Sequence, residues 1–314
     1  MKTNLRKLFF VLVLIPFFGE AQQIDSIFNS EGRQVTLTPV VIRKGTNVPG
    51  FIKRVENDTS FYKAFKNLRV LNYSSLNDVR MFDKKGRVEA SLNSKTRQWA
   101  SRSCRVTNFL EEKTTGNYYT PEGNCNYYTG QLYSSLFFSR DTICGETNVI
   151  KDIRRSIDGK KGLDKHKEQL KMLFFNPGKD IPGIPLMGSK VKVFDKSHAD
   201  LYDFTIDIQD YKGKPAYVFL LKAKEGLSFF KKDDVVIDEM VTWFDYNSFD
   251  VIARDYKMSY NAGVYRFDVS MQVEIGKFGN YLYPKVIRYD GNWGVMLKGK
   301  ERGLFTATIY DVAN

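Results

Sequence analysis

Residues 265–275 alternate without a break. Tyr265, Phe267, Val269, Met271, Val273 and Ile275 are apolar, and Arg266, Asp268, Ser270, Gln272 and Glu274 between them are polar or charged. Successive side chains of a strand leave opposite faces, so this stretch specifies a strand with one buried face and one wet face. A helix would scatter the same apolar residues around its whole circumference. A lone amphipathic strand is unstable in water. It demands a sheet whose other strands carry the same stripe, and something apolar to cover it.

The rest of the C-terminal half supplies those strands. Tyr202, Phe204, Ile206 and Ile208 alternate with Asp203, Thr205 and Asp207. Strands are predicted at 202–209, 215–223, 235–246, 249–260, 264–276, 281–289, 293–299 and 303–311. Tyr211-Lys212-Gly213-Lys214 and Asp290-Gly291-Asn292 read as short turns, and short connections force neighbouring strands antiparallel. Upstream, Asp83-Lys84-Lys85-Gly86 is a hairpin turn between Val79–Phe82 and Val88–Leu92. Residues 99–110 read as a further strand. Residues 118–138 are tyrosine-rich and punctuated by Gly123 and Gly130.

Helical spacing occurs in two places. Pro49 suits a first helical turn after Thr46 and Asn47. Phe51, Ile52, Val55, Phe61, Phe65 and Leu68 then mark a helix face over 49–71, with Asn57-Asp58-Thr59 as the point of a break. Val149, Ile153 and Ile157, then Leu163, Leu170, Leu173 and Phe174 after Gly159-Lys160-Lys161-Gly162, predict a helix pair over 148–175. Pro177, Pro182 and Pro185 with three glycines make 176–188 a loop. The expected fold is mainly β with α: a large curved antiparallel sheet, a half-barrel, with helices on its apolar face. Its domain is 47–314, behind a lead-in 22–46 whose Val35–Arg43 stretch, with Pro39, suits an edge strand. Two domains divided at the proline loop are the alternative.

The start of the chain is an address. Lys2, Arg6 and Lys7 precede an uncharged run over 8–18. As a helix that run reaches about 16 Å, against roughly 30 Å of hydrocarbon, which suits a signal peptide and not a span. Gly19 and Ala21 place cleavage between Ala21 and Gln22. No cysteine follows for lipidation, so an exported, periplasmic product is expected, with secretion or peripheral outer-membrane association as the alternative. Removing the signal takes away three basic residues and Glu20, lowering the net charge from +12 to +10. The basic excess is spread along the chain and interleaved with acids between Lys151 and Lys171, which reads as a solvated helix face. No nucleic-acid partner is expected.

No catalytic pattern appears. His166 and His198 are the only histidines, and 32 positions separate them. Neither a zinc-ligand spacing, a nucleophile elbow, a P-loop nor a dinucleotide fingerprint occurs. Asp233-Asp234 and Asp238-Glu239 are adjacent acidic pairs, and adjacent residues of a strand would point to opposite faces, so neither is expected to form a dyad by itself. The chain is therefore expected to be no enzyme, with no metal and no cofactor. Cys104, Cys125 and Cys144 allow one bridge; Cys125–Cys144 is the first candidate and Cys104–Cys125 the second.

The element order over 201–311 resembles the periplasmic lipoprotein carriers and their outer-membrane lipoprotein-sorting relatives. Residues 244–252 (Phe-Asp-Tyr-Asn-Ser-Phe-Asp-Val-Ile), followed by Arg254-Asp255-Tyr256, look like that family's strand–turn–strand. The resemblance implies an open half-barrel whose helix-covered apolar side takes up acyl chains. The longer mature chain and the extra lead-in favour a relative with another envelope task. From the one-sided sheet itself, Trp243, Tyr265, Phe267, Val269, Met271, Val273 and Ile275 are the expected lining of an apolar site for a lipid or acyl group. A structural or interaction protein of the envelope, pairing its lead-in strand with a partner's sheet, is the alternative. An outer-membrane barrel fits less well, because the chain ends Asp311-Val312-Ala313-Asn314 without a terminal aromatic.

Overall fold

The computed structural model describes residues 48–314 except 102, 139, 151–168, 170, 180, 182–186, 188, 262–264 and 296–298. They belong to one compact unit, Val40–Asn314. The export signal with its Ala21–Gln22 junction, the lead-in strand and most of the expected helix pair lie outside the described residues.

Two helices, α1 (Val48–Asn57) and α2 (Ser60–Asn67), replace the single helix expected over 49–71. The break falls at Asp58, whose Oδ1 accepts from the Ser60 amide at 3.2 Å. Then come β1 (Asn72–Phe82), β2 (Val88–Ser101), β3 (Cys104–Thr115), α3 (Tyr128–Phe137) and β4 (Ile143–Cys144). Residues 171–175 are helical. A short α4 (Lys196–Ala199) leads into β5 (Tyr202–Tyr211) and β6 (Lys214–Ala223). After α5 (Phe229–Asp233) follow β7 (Ile237–Asp245), β8 (Val251–Asn261), β9 (Tyr265–Phe278), β10 (Tyr281–Val295) and β11 (Gly299–Ala313).

The strands form one antiparallel sheet in the order β4-β3-β2-β1-β11-β10-β9-β8-β7-β6-β5. The last strand lies in the middle, between β1 and β10, and β4 and β5 are open edges, so the sheet does not close into a barrel. Register explains the core. Leu221, Met240, Tyr256, Met271, Tyr289, Phe305, Val79 and Leu92 stand opposite one another in a row across eight strands, and all are buried. Each such side chain contributes roughly 1.5–3 kcal/mol. The open antiparallel sheet with helices on its apolar face is thus the fold that the alternating stripe predicts.

Three local expectations are corrected. The strand read over 99–110 is a hairpin: β2 ends at Ser101, Ser103 takes φ 63°, and β3 begins at Cys104. The tyrosine-rich stretch contains a helix, α3. Its buried residues Thr129, Leu132, Tyr133 and Phe137 follow helical spacing, and Gly130 leaves room for the Cys125 thiol and the Tyr118 hydroxyl against the helix backbone. Asp290-Gly291-Asn292 is no turn but the inside of β10, which runs through to Val295. Gly291 is needed there because a Cβ would lie 2.0 Å from the Tyr289 hydroxyl, which covers it on the same face.

Candidate functional site

The candidate site is the layer between the apolar face and its helices. Phe267, Val269, Met271 and Val273 are at most 3 % exposed, and Ile275 is half-buried against the same cluster. Tyr265 pairs with Val295 through the backbone; its side chain lies outside the described residues. Trp243 is on the other face. Thr242 stands opposite Arg254 and, one strand on, Val273, whereas Trp243 stands opposite Ala253 and then Glu274. Trp243 packs on Tyr211, with ring centroids 5.8 Å apart, beside buried Val218 and Leu220. Residues 240–244, Met-Val-Thr-Trp-Phe, are almost continuously apolar, so the sequence does not say which parity faces the helices.

Aromatic side chains from the helices fill this layer. Tyr133 of α3 stacks on Phe305 at 3.9 Å and meets Tyr289 edge-on at 5.2 Å. Phe137 stacks on Phe305 at 5.5 Å, and Phe174 lies 6.1 Å from Tyr289. The Tyr256 hydroxyl donates to the Phe174 carbonyl. A charge sits within the layer: Arg254 is buried, donates through Nε to Thr242 Oγ1 at 2.9 Å and lies 4.3 Å over the Phe61 ring. Burial pulls its guanidinium down to about 10, with Asp58 opposing the shift. Burial and then the charge of Arg254 lower the Lys179 ammonium.

Polar side chains of the strands latch the helix ends to the sheet. Glu301 of β11 accepts from the Tyr128 and Thr129 amides at 2.8 and 3.1 Å, capping α3 where its amides have no partner. At the other end of α3, Arg105 donates to the carbonyls of Ser135 at 3.2 Å and Leu136 at 3.5 Å. Gln98 donates to the carbonyls of Leu68 and Leu71 at 2.7 and 2.8 Å, closing the end of α2. Arg105 also donates to Glu146 Oε2 at 2.7 Å and Gln98 Oε1 at 3.2 Å, joining the two helix ends in one network. These latches were not legible in the sequence: Gln98 follows Ser94 and Thr96 on the same buried parity of β2, so nothing marks it out.

The disulfide joins Cys104 and Cys144, and Cys125 is free, which corrects both sequence candidates. Cys144 lies in β4, which pairs with β3 in a register that sets it directly opposite Cys104, Cα atoms 4.0 Å apart. Cys125 packs instead against Gly130 and Tyr118, and burial raises its thiol. The bridge brings Glu146, two residues on, to Arg105. Replacing Cys104 and Cys144 by serine opens a closure of 40 residues and is expected to cost about 4 kcal/mol in the chain-entropy model. A urea series measures it, and an unchanged midpoint would contradict it.

Outside this layer, a groove of about 580 Å³ on the opposite face is walled by the exposed Leu76 together with Asp78, Lys95, Glu111, Lys113, Thr306 and Thr308. His198 lies in α4, with Nδ1 2.8 Å from Ser197 Oγ. Among the described residues no helix is long and apolar enough to cross a membrane.

Fold and site together define an open antiparallel sheet whose one apolar face is roofed by latched helices. No family model matches the chain, and no curated protein matches it in sequence. Among solved structures it is similar to a putative outer membrane lipoprotein-sorting protein domain from Vibrio parahaemolyticus (7 % identity, TM-score 0.26) and a LolA superfamily protein from Nitrosomonas europaea (7 %, 0.25), each over 81 % of this chain and 91 % of that one. It is also similar to a DUF1329 family protein from Desulfovibrio piger (9 %, 0.23; 81 % and 90 % covered).

Proposed function

We propose that the chain is exported, loses residues 1–21, and works in the periplasm as a non-enzymatic protein that takes a lipid or acyl group between its sheet and its helices. One observation carries the reading. Six of the eight methionines, Met81, Met172, Met187, Met240, Met258 and Met271, lie in the buried cluster between the two layers. Methionine is unbranched and adaptable, and interiors rich in it rearrange around varied apolar guests. An acyl chain entering there exchanges one set of apolar contacts for another. Its own burial is worth about 0.8 kcal/mol per methylene, on the order of 12 kcal/mol for sixteen carbons, against latch hydrogen bonds of about 1 kcal/mol each.

The test is uptake of a fluorescent fatty acid by the mature protein, with native mass spectrometry of protein purified from cells. Bound lipid and saturable uptake are expected, and Glu301→Ala, which frees the start of α3, should speed uptake. Absence of both in wild type and variant would sink the reading. A second reading, a structural or interaction protein of the envelope, is favoured by the filled aromatic packing of the described layer. It predicts no uptake, and a crosslinked envelope partner that is lost on deleting residues 22–45.

A further inference from the structure

Phe229 and Phe230 are each 83 % exposed, while the next large apolar side chain among the described residues, Leu110, is 56 % exposed. They sit side by side in α5, the one-turn helix of the β6–β7 connection, with ring centroids 5.9 Å apart. Two adjacent phenylalanines in water contribute nothing to folding and invite aggregation. Their surroundings are cationic. Asn261 pairs with Arg266, Val295 with Gly299 and Phe82 with Arg302, so the β8–β9, β10–β11 and β1–β2 turns lie at the same end of the sheet as α5. That end presents Lys84, Lys85, Lys231, Lys232, Arg266 and Lys300, all exposed. Acids are present as well: Asp83 is held by Arg87 at 2.8 Å, Asp233 and Asp234 by Lys190 at 2.8 and 3.3 Å, and Glu225 by Lys222 at 3.4 Å, while Glu89 and Asp268 are exposed. A groove of about 510 Å³ beside Phe229 has Lys232 and Arg266 in its wall, with Asp233 and Asp268.

From this juxtaposition we infer that this end of the sheet docks on an anionic bilayer surface, with Phe229 and Phe230 inserted at the headgroup–acyl boundary and the lysines over the phosphates. Aromatic side chains tipped into the interface beside lysines that face anionic headgroups are the arrangement that binds such a surface without spanning it. The inference does not depend on acyl uptake, since the phenylalanines are outside the latched layer.

Co-sedimentation of the mature protein with vesicles of mixed phosphatidylglycerol and phosphatidylcholine, against phosphatidylcholine alone, tests it. Wild type is expected to pellet with the anionic vesicles. F229S/F230S should weaken binding by about tenfold or more, and K231Q/K232Q by about fivefold per lysine. Because all four side chains are exposed, the melting temperatures should stay unchanged. Phe230→Trp should shift its emission to the blue on the anionic vesicles. Three results would overturn the inference: no pelleting of wild type, equal pelleting of F229S/F230S, or a wild-type dimer that F229S/F230S dissolves, which would make the patch a contact between copies.

Discussion

Phe305→Ala is expected to lower unfolding stability by about 4 kcal/mol, from lost transfer energy plus a cavity that a stacked aromatic wall closes poorly. Phe305 is fully buried in β11, the strand at the centre of the sheet, with Tyr133 stacked at 3.9 Å and Phe137 at 5.5 Å. Val79 and Tyr289 stand opposite it on the neighbouring strands. A urea series measures the loss. The same hole, walled by apolar rings, should bind the fluorescent fatty acid more tightly than wild type, because an apolar cavity stays dry and accepts an apolar guest. A loss below about 1 kcal/mol, typical of surface changes, would mean that the aromatic packing is not what holds the helices down.

Glu146→Gln is expected to cost about 3 kcal/mol near neutral pH, because it leaves Arg105 buried without its carboxylate. Arg105 has a side chain only 5 % exposed, and Glu146 is 24 % exposed. Burial by itself pushes the Glu146 carboxyl up, but Arg69 and Arg105 together outweigh it and hold the group below its usual 4.5. A carboxyl lowered by folding stabilises fully above its unfolded value and loses that contribution as pH falls through its folded one. The gap between wild type and Glu146→Gln should therefore be constant above about pH 5 and shrink steadily below about 4.5. A gap that stayed constant to acid pH would show that the carboxylate charge does not matter to the latch.

The strands from Tyr202 onward were legible because burial on one face of a sheet imposes a period of two, which Tyr265–Ile275 displays without interruption. Strand ends were less legible. Gly291 reads as a turn residue and serves close packing under Tyr289, a contact between residues on one strand face that no local pattern announces. Helix α3 was hidden by its tyrosines, which are enriched in strands, whereas the packing of Tyr133 on Phe305 that fixes it is tertiary. The bridge was misassigned because β4 has only two residues, too few to show a period, and its pairing with β3 is what selects Cys104. Of the candidate residues, the burial of Phe267, Val269, Met271 and Val273 follows directly from alternation, whereas the face taken by Trp243 depended on a parity that an apolar run does not define. The latches Gln98, Arg105, Glu146 and Glu301 are long-range, and a polar residue in isolation does not reveal which helix end it meets.

Hydrogen exchange of the mature protein, with and without palmitate, tests most directly whether the helix roof can part from the sheet around an acyl chain. Amides of α1–α3 should exchange through a partial opening that leaves β8–β11 protected, and palmitate should slow exchange in β9, β10 and α3. Helices and strands that exchange only together, with no amide altered by palmitate, would contradict the account.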